Sequence, residues 1–490
     1  MLHREKDPSC ITIIPPGHSA RQRGFGPLDV GRGRLGTSAP GKTLERVIPT
    51  MLDSRIDVNV AGGLDISLPK MANVRQKFEA TRLQDISAAV GDQFRRPEVR
   101  KLIVRGQVVA VGCGSRGVAN IAEITRSVIR ELQAAGARPF VFPAMGSHGA
   151  ATAEGQKKVL ESYGISETTT GVPIKASMET VVVGNLSDGT PVHVDKHAAQ
   201  ADGVVVINRI KPHTGFRGAT ESGLTKMLSI GIGKIAGAAT YHSHGMDRFP
   251  ELLPQIRDVV LGACNVLFGV GVVENAYDET SLIELIPAQR LGAREPQLQA
   301  LAKQFMPQLY FDEIDVLIID EMGKNVSGAG FDPNITGRNR RAVKWEAKPL
   351  IKKIVVLGLT RESMGNATGI GSADVISMRV WREFDVASTY ANIITSANLD
   401  GAAIPLVMNA DRDAIGLAVK TVIRVKPEDC RIVRIKNTLH LSEIQVSEPL
   451  FELVRRDPER FELVSAPAPF AFDANGTLAP LLRMPHAAAA

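Results

Sequence analysis

Five short runs of uninterrupted apolar, largely β-branched residues set the terms for this chain. They are QVVAV at 107–111, the FVF of RPFVFPAMG at 138–146, DGVVVINRI at 202–210, IDVLIID at 314–320 and KKIVVLGL at 352–359. A strand with one wet face alternates apolar and polar residues. Runs that are apolar on both faces belong in parallel sheets covered by helices on both sides. Between the first two runs lies VANIAEITRSVIRELQAAGA (118–137), where Val118, Ile121, Ile124, Val128 and Leu132 keep one helical face. Strand, Gly-rich turn and amphipathic helix recur in that order, which predicts the α/β class with mainly parallel sheets.

At 490 residues and 44% apolar content, the chain has material for more than one core. A polar helical stretch, AREPQLQALAKQF, precedes the fresh strand IDVLIID and marks a boundary near residue 305. The expected layout is a flexible extension at 1–45, an α/β cofactor and catalytic domain at 46–305, and a second α/β domain at 306–440. A segment at 441–465 then packs back on the first domain, and a flexible Pro/Ala-biased tail fills 466–490. Active-site residues are expected in the cleft between the two domains.

The net charge of +6 suggests nucleic acid until it is located. Residues 1–50 carry eight basic and four acidic side chains, so the body of the chain is close to neutral and no basic stripe is indicated. The four cysteines form no CxxC pair and no zinc-type spacing. No apolar run approaches the roughly 18 residues of a membrane span, and ITII before Pro15 and Pro16 is too short for a secretory leader. The expected location is the cytoplasm, with small anionic molecules rather than nucleic acid or membrane as partners.

Ligands of open parallel sheets sit beyond the carboxyl ends of the strands. There the chain places GCGSRG (112–117), MGSHG (145–149), NRIKPHTGFRG (208–218) and DEMGKN (320–325). GCGSRG fits the G-x-G-x-x-G pattern between a strand and a helix, yet the acid expected about 20 residues on is missing. The turn is open to three readings: a dinucleotide site, an anion site using Gly114, backbone N–H groups and Arg116, or a plain tight turn. His148 and His213 each follow a buried strand and are flanked by glycine, so both are candidates for one cleft. Two imidazoles, with an ordinary pKa of about 6.5, can act as base on one face of a substrate and acid on the other. Lys226 lies in an apolar, Gly-rich stretch suited to an activated amine, or to an ordinary lysine at a helix end. Arg209, Arg217, Lys324 and Arg338 are candidate carboxylate binders.

KPHTGFRG, Lys226, His242 and the earlier MGSHG together resemble the nickel-dependent lactate racemase family and its relatives acting on other 2-hydroxy acids. The resemblance extends over most of residues 75–440. It implies a nickel-pincer nucleotide, a pyridinium mononucleotide whose two sulfur-bearing arms hold nickel, supplied by cofactor-synthesis proteins. By the same resemblance Lys226 attaches the cofactor covalently, His242, sixteen residues on, ligates nickel, and His148 and His213 are the acid/base pair. Gly114 and Arg116 fall at the cofactor-binding turn, and Arg217, Lys324 and Arg338 are taken as substrate binders. In such enzymes one histidine takes the hydroxyl proton while hydride passes to the cofactor, and return of hydride to the other face inverts the carbon.

The chain departs from the family pattern in three places. Cys113 stands where an aspartate precedes Arg116 by three residues, the interval from His213 to Lys226 is three residues longer, and the lysine-bearing substrate motif is not reproduced in PLVMNADRDAIGLAVK (405–420). Arg412 or Lys420 would have to stand in. The implied function is racemisation or epimerisation of a lactate-like, larger hydroxy or sugar acid. The alternatives are an NAD(P)-dependent oxidoreductase using residues 112–117 and a non-catalytic nucleotide- or nickel-binding protein.

Overall fold

The buried runs do become strands, and they sort into two sheets. The computed structural model describes residues 56–481, apart from 57–58, 115–116, 339–348 and 397; the expected extension at 1–45 lies outside the described residues, as does Arg116. The first sheet has five strands in the spatial order Arg138–Pro143, Val108–Cys113, Gly203–Arg209, Val266–Glu274 and Thr280–Pro287. The first four run parallel and the last is antiparallel.

Alternate residues of these strands feed two separate cores, which is why the runs had to be apolar throughout. Val109, Val111, Val205 and Ile207 pack with Ile124 and Val128 of the helix Ile121–Ala134. Ala110, Val204 and Val206 pack on the other face with Tyr241, Ile256 and Leu298 from the helices Lys234–His242, Phe249–Ala263 and Leu291–Phe305. At about 1.5–3 kcal/mol for each fully buried large apolar side chain, both faces contribute strongly to stability.

The second sheet has eight strands, in the order Leu406–Met408, Val375–Ser377, Leu350–Val356, Glu313–Ile319, Ile432–Asn437, His440–Ser447, Met71–Gln76 and Phe461–Leu463. Its first five strands are parallel and the last three antiparallel. The α/β class with mainly parallel sheets therefore describes the molecule.

The domain boundaries need three corrections. Met71–Gln76 comes from the stretch assigned to the first domain, yet it pairs with His440–Ser447 and Phe461–Leu463 in the second sheet. Residues 441–465 do pack back on a stretch assigned to the first domain, Met71–Gln76, but they do so as strands of the second sheet. The stretch after 466 is not a free tail as far as it is described. Ala468 bridges Met71, Phe472 bridges Leu478, Leu478 is 4% exposed, and the Ala479 carbonyl accepts from Arg434. Among the described residues no helix is long and apolar enough to cross a membrane.

Candidate functional site

Three strands of the first sheet end side by side, and each releases a loop over the same edge. After Val108–Cys113 comes Gly114; after Arg138–Pro143 come Met145–His148; after Gly203–Arg209 comes the loop holding Lys211 and His213. The chain then makes one helical turn, Leu224–Lys226, runs into a π-helical stretch, Met227–Gly231, and continues as the helix that ends at His242. A π-helix is rare and recurs at functional sites, because its wider turn displaces side chains from α-helical register.

These segments enclose a cavity of about 280 Å³ lined by Gly114, His148, His213, Lys226 and His242. Lys324 and Gly328, which follow the strand Glu313–Ile319, and Ser396, at the end of the helix Val386–Thr395, line it from the second sheet. Asn208, Lys211 and Ser222 also face it. Sequence reasoning passed over these three, although all lie within or beside the quoted HTGFRG block.

His242 lies on the last turn of its helix, and its Nδ1 is 2.6 Å from the carbonyl oxygen of Ala238. A carbonyl can only accept, so Nδ1 carries the hydrogen and the lone pair is on Nε2. That is the usual arrangement for a metal-ligating imidazole. His213 has the opposite polarity: the Gly215 N–H donates to its Nδ1 at 3.0 Å, so the neutral ring carries its hydrogen on Nε2. Its ring lies 4.4 Å from that of Phe216. His148 is exposed and precedes Gly149, whose φ of +64° and approach to the Gln156 backbone leave no space for a side chain.

Among the described residues no group of three or more His, Cys, Asp or Glu side chains is arranged to hold a metal ion. A metal at His242 would therefore need most of its donors from a bound group, and the residues present fit a cofactor that brings its own.

Residues 57–249 match the family model for the lactate racemase N-terminal domain. That matched stretch includes His148, His213, Lys226 and His242. Among solved structures, the lactate racemase apoprotein from Thermoanaerobacterium thermosaccharolyticum is similar at 12% identity and a TM-score of 0.44, over 76% of this chain and 99% of that one. No curated protein matches.

The cations that the sequence offered do not all line this cavity. Arg217 is absent from the cavity lining; its guanidinium donates to Glu221 and the His213 carbonyl and reaches Asn334. Arg338 is held by Asp374 and the Ile351 and Lys352 carbonyls and lines a separate small pocket. Arg412 pairs with Asp65, and Lys420 lies beside Gly62; neither lines the cavity. Of the four candidate carboxylate binders, Arg209 and Lys324 line the cavity, and Arg209 is paired there with Glu274. Arg217 and Arg338 are held away from it, and a sequence does not show which carboxylate or carbonyl will claim an arginine.

The turn at 112–117 also differs from a dinucleotide fingerprint. The helix begins at Ile121, not Val118, and the Ala119 N–H is already taken by the Glu274 carboxylate at 2.7 Å. An acid at that position opposes a pyrophosphate there. Cys113, where the family has aspartate, is fully buried, and burial pushes its thiol up to about 12. It behaves as a small apolar residue.

Two buried carboxylates fix the loops around the cavity. Glu221 accepts from the His213 backbone N–H and from Lys303, both at 2.7 Å, so the loop winds around it. Glu295, 1% exposed, accepts from the Thr225 backbone at 3.0 Å and from its hydroxyl at 2.5 Å, next to Lys226. Burial pushes the Glu295 carboxyl up, against the Thr225 bonds and Arg257. Gly223 is required opposite it, since a Cβ there would stand 2.2 Å from the Glu295 oxygen. Glu295→Ala strands the buried Thr225 N–H, and the expected cost is about 1–3 kcal/mol. Chemical unfolding checks this: the midpoint falls for Glu295→Ala and falls less for Glu295→Gln, whose amide oxygen still accepts from Thr225.

Proposed function

We propose that the protein racemises or epimerises a 2-hydroxy acid in this cavity, with His148 and His213 moving the hydroxyl proton. The observation that carries the reading is convergence. Two imidazoles, an amine and a third imidazole in ligand-ready tautomer, from separate segments of the stretch that matches the lactate racemase N-terminal model, face one cavity. In this reading Lys226 attaches a nickel-pincer nucleotide, His242 Nε2 ligates its nickel, and Gly114 lets the nucleotide approach the first turn. Arg116 is assigned to the same turn by sequence position alone. The group, when bound, supplies a reversible hydride acceptor, so no external redox partner is consumed.

The chain's own residues do the rest. The Lys324 ammonium holds the substrate carboxylate from the second sheet. His148 takes the hydroxyl proton from one enantiomer and returns it to the oxygen in the reverse direction. His213, as it stands, donates through Nε2 to a substrate oxygen; to act as base through that atom it must release the Gly215 N–H and change tautomer. Cofactor-synthesis proteins are the cellular partners this reading requires.

Single-enantiomer 2-hydroxy acids, offered to protein from a host that makes the cofactor, should lose optical activity without added NAD(P) and without net oxidation. Stoichiometric reduction of NAD(P) instead would replace this reading with that of an oxidoreductase.

A further inference from the structure

Lys234 is 0% exposed, and none of the roles above uses it. Its ammonium donates to the Pro143 carbonyl, lies 3.1 Å from Gln156 Oε1 and is 3.0 Å from Asp195 Oδ2. Two N–H donors thus meet two acceptors, the Asp195 carboxylate stands beside them as the counter-ion, and the three partners come from three different segments. Gln156 passes the connection on: its Nε2 donates to the Gly146 carbonyl at 2.8 Å and the His148 carbonyl at 3.2 Å. Lys234 opens the helix that ends at His242, and the Gly146 N–H donates to Gly231 at the end of the π-helical stretch after Lys226.

We propose that Lys234 is a positioning residue, whose buried ammonium, acting through Gln156, sets where the His148 loop stands relative to the helix that carries His242. Stability alone does not account for it, because well-packed apolar side chains in place of a buried ion pair are often as stable or more so. Burial pushes the ammonium below the usual lysine range while Asp195 pulls it back up, so the pair is kept against a desolvation penalty. The backbone agrees: Lys234 has φ of +53°, a conformation that glycine adopts more readily, although glycines stand close by at 231 and 233. The strain falls on the residue whose side chain makes the junction.

The proposal rests on the acid/base reading of His148, and its test separates the two. Lys234→Met alone leaves the Asp195 carboxylate buried without its cation, so the charge-balanced pair Lys234→Met with Asp195→Asn is used, together with Gln156→Leu, which leaves the ion pair intact. In cofactor-free protein, the rate of diethyl pyrocarbonate modification at His148 is followed by peptide mass spectrometry, with His213 as internal reference. The expected result is a change of about threefold or more at His148 with little at His213. In loaded enzyme, kcat should fall about 10- to 100-fold with KM nearly constant, as for a base displaced by about an ångström. Folded variants with unchanged His148 reactivity overturn the proposal, and Gln156→Leu decides if the double variant does not fold. Altered reactivity with unchanged kcat leaves the positioning role standing and removes His148 from the chemistry.

Discussion

Lys226→Ala protein, purified from a cofactor-making host, is expected to show the bare polypeptide mass and no bound nickel, where the unaltered protein shows an adduct and metal. The effect should be close to complete, because a covalent bond has no weaker substitute at this position. Lys226 lines the cavity and stands on a turn clamped by Glu295 at Thr225, so deleting its amine leaves the supporting carboxylate contacts in place. The loss is therefore separable from unfolding, and a melting curve near that of the unaltered protein completes the measurement. Lys234, eight residues on, could not take its place, since it is fully buried and does not line the cavity. An adduct that persisted in Lys226→Ala would overturn the attachment assignment.

The second large effect is expected at the two imidazoles. His148→Ala and His213→Ala should each lower kcat by about 10² to 10⁴, the usual contribution of a positioned acid or base. Both directions of the reaction should fall together, since each complete inversion uses one group on each face. Steady-state polarimetry starting from each enantiomer measures this. The double variant should be no worse than the product of the singles, because groups acting as a unit are not additive. Undiminished turnover in both single variants would remove the two-base mechanism. Neither histidine is deep in a core: His148 is exposed and His213 half-buried, so folding should survive both substitutions.

Much of this site was legible because strand ends are legible. Runs such as VVVINR announce both a buried strand and the point where it stops, and ligand-facing residues of a parallel sheet follow such points. His148, His213 and Gly114 could be found that way, while the resemblance to a known family was needed to give Lys226 and His242 their roles. What the sequence hid was pairing. Arg338 looked like a free cation because its partner Asp374 lies 36 residues away, whereas Arg217 has Glu221 four residues on and only Asn334 at a remove of 117. The helix start at Ile121 was misplaced by three residues because Glu274, far along the chain, claims the Ala119 N–H. The Pro/Ala-biased stretch after 466 looked unstructured by composition, yet Leu478 finds a buried slot beside residues remote in sequence.

The strand Met71–Gln76 has a consequence for how the molecule is made. Both of its hydrogen-bonded neighbours, His440–Ser447 and Phe461–Leu463, lie at the other end of the chain. During synthesis it must wait through some 360 residues with both edges open, while the five-stranded sheet can already close. At ordinary translation speeds of about 5–20 residues per second, that wait lasts tens of seconds. A fragment ending near residue 305 would carry this strand without partners, and one beginning there would lack it, so cutting the chain between its two sheets leaves each half with an unmet sheet edge.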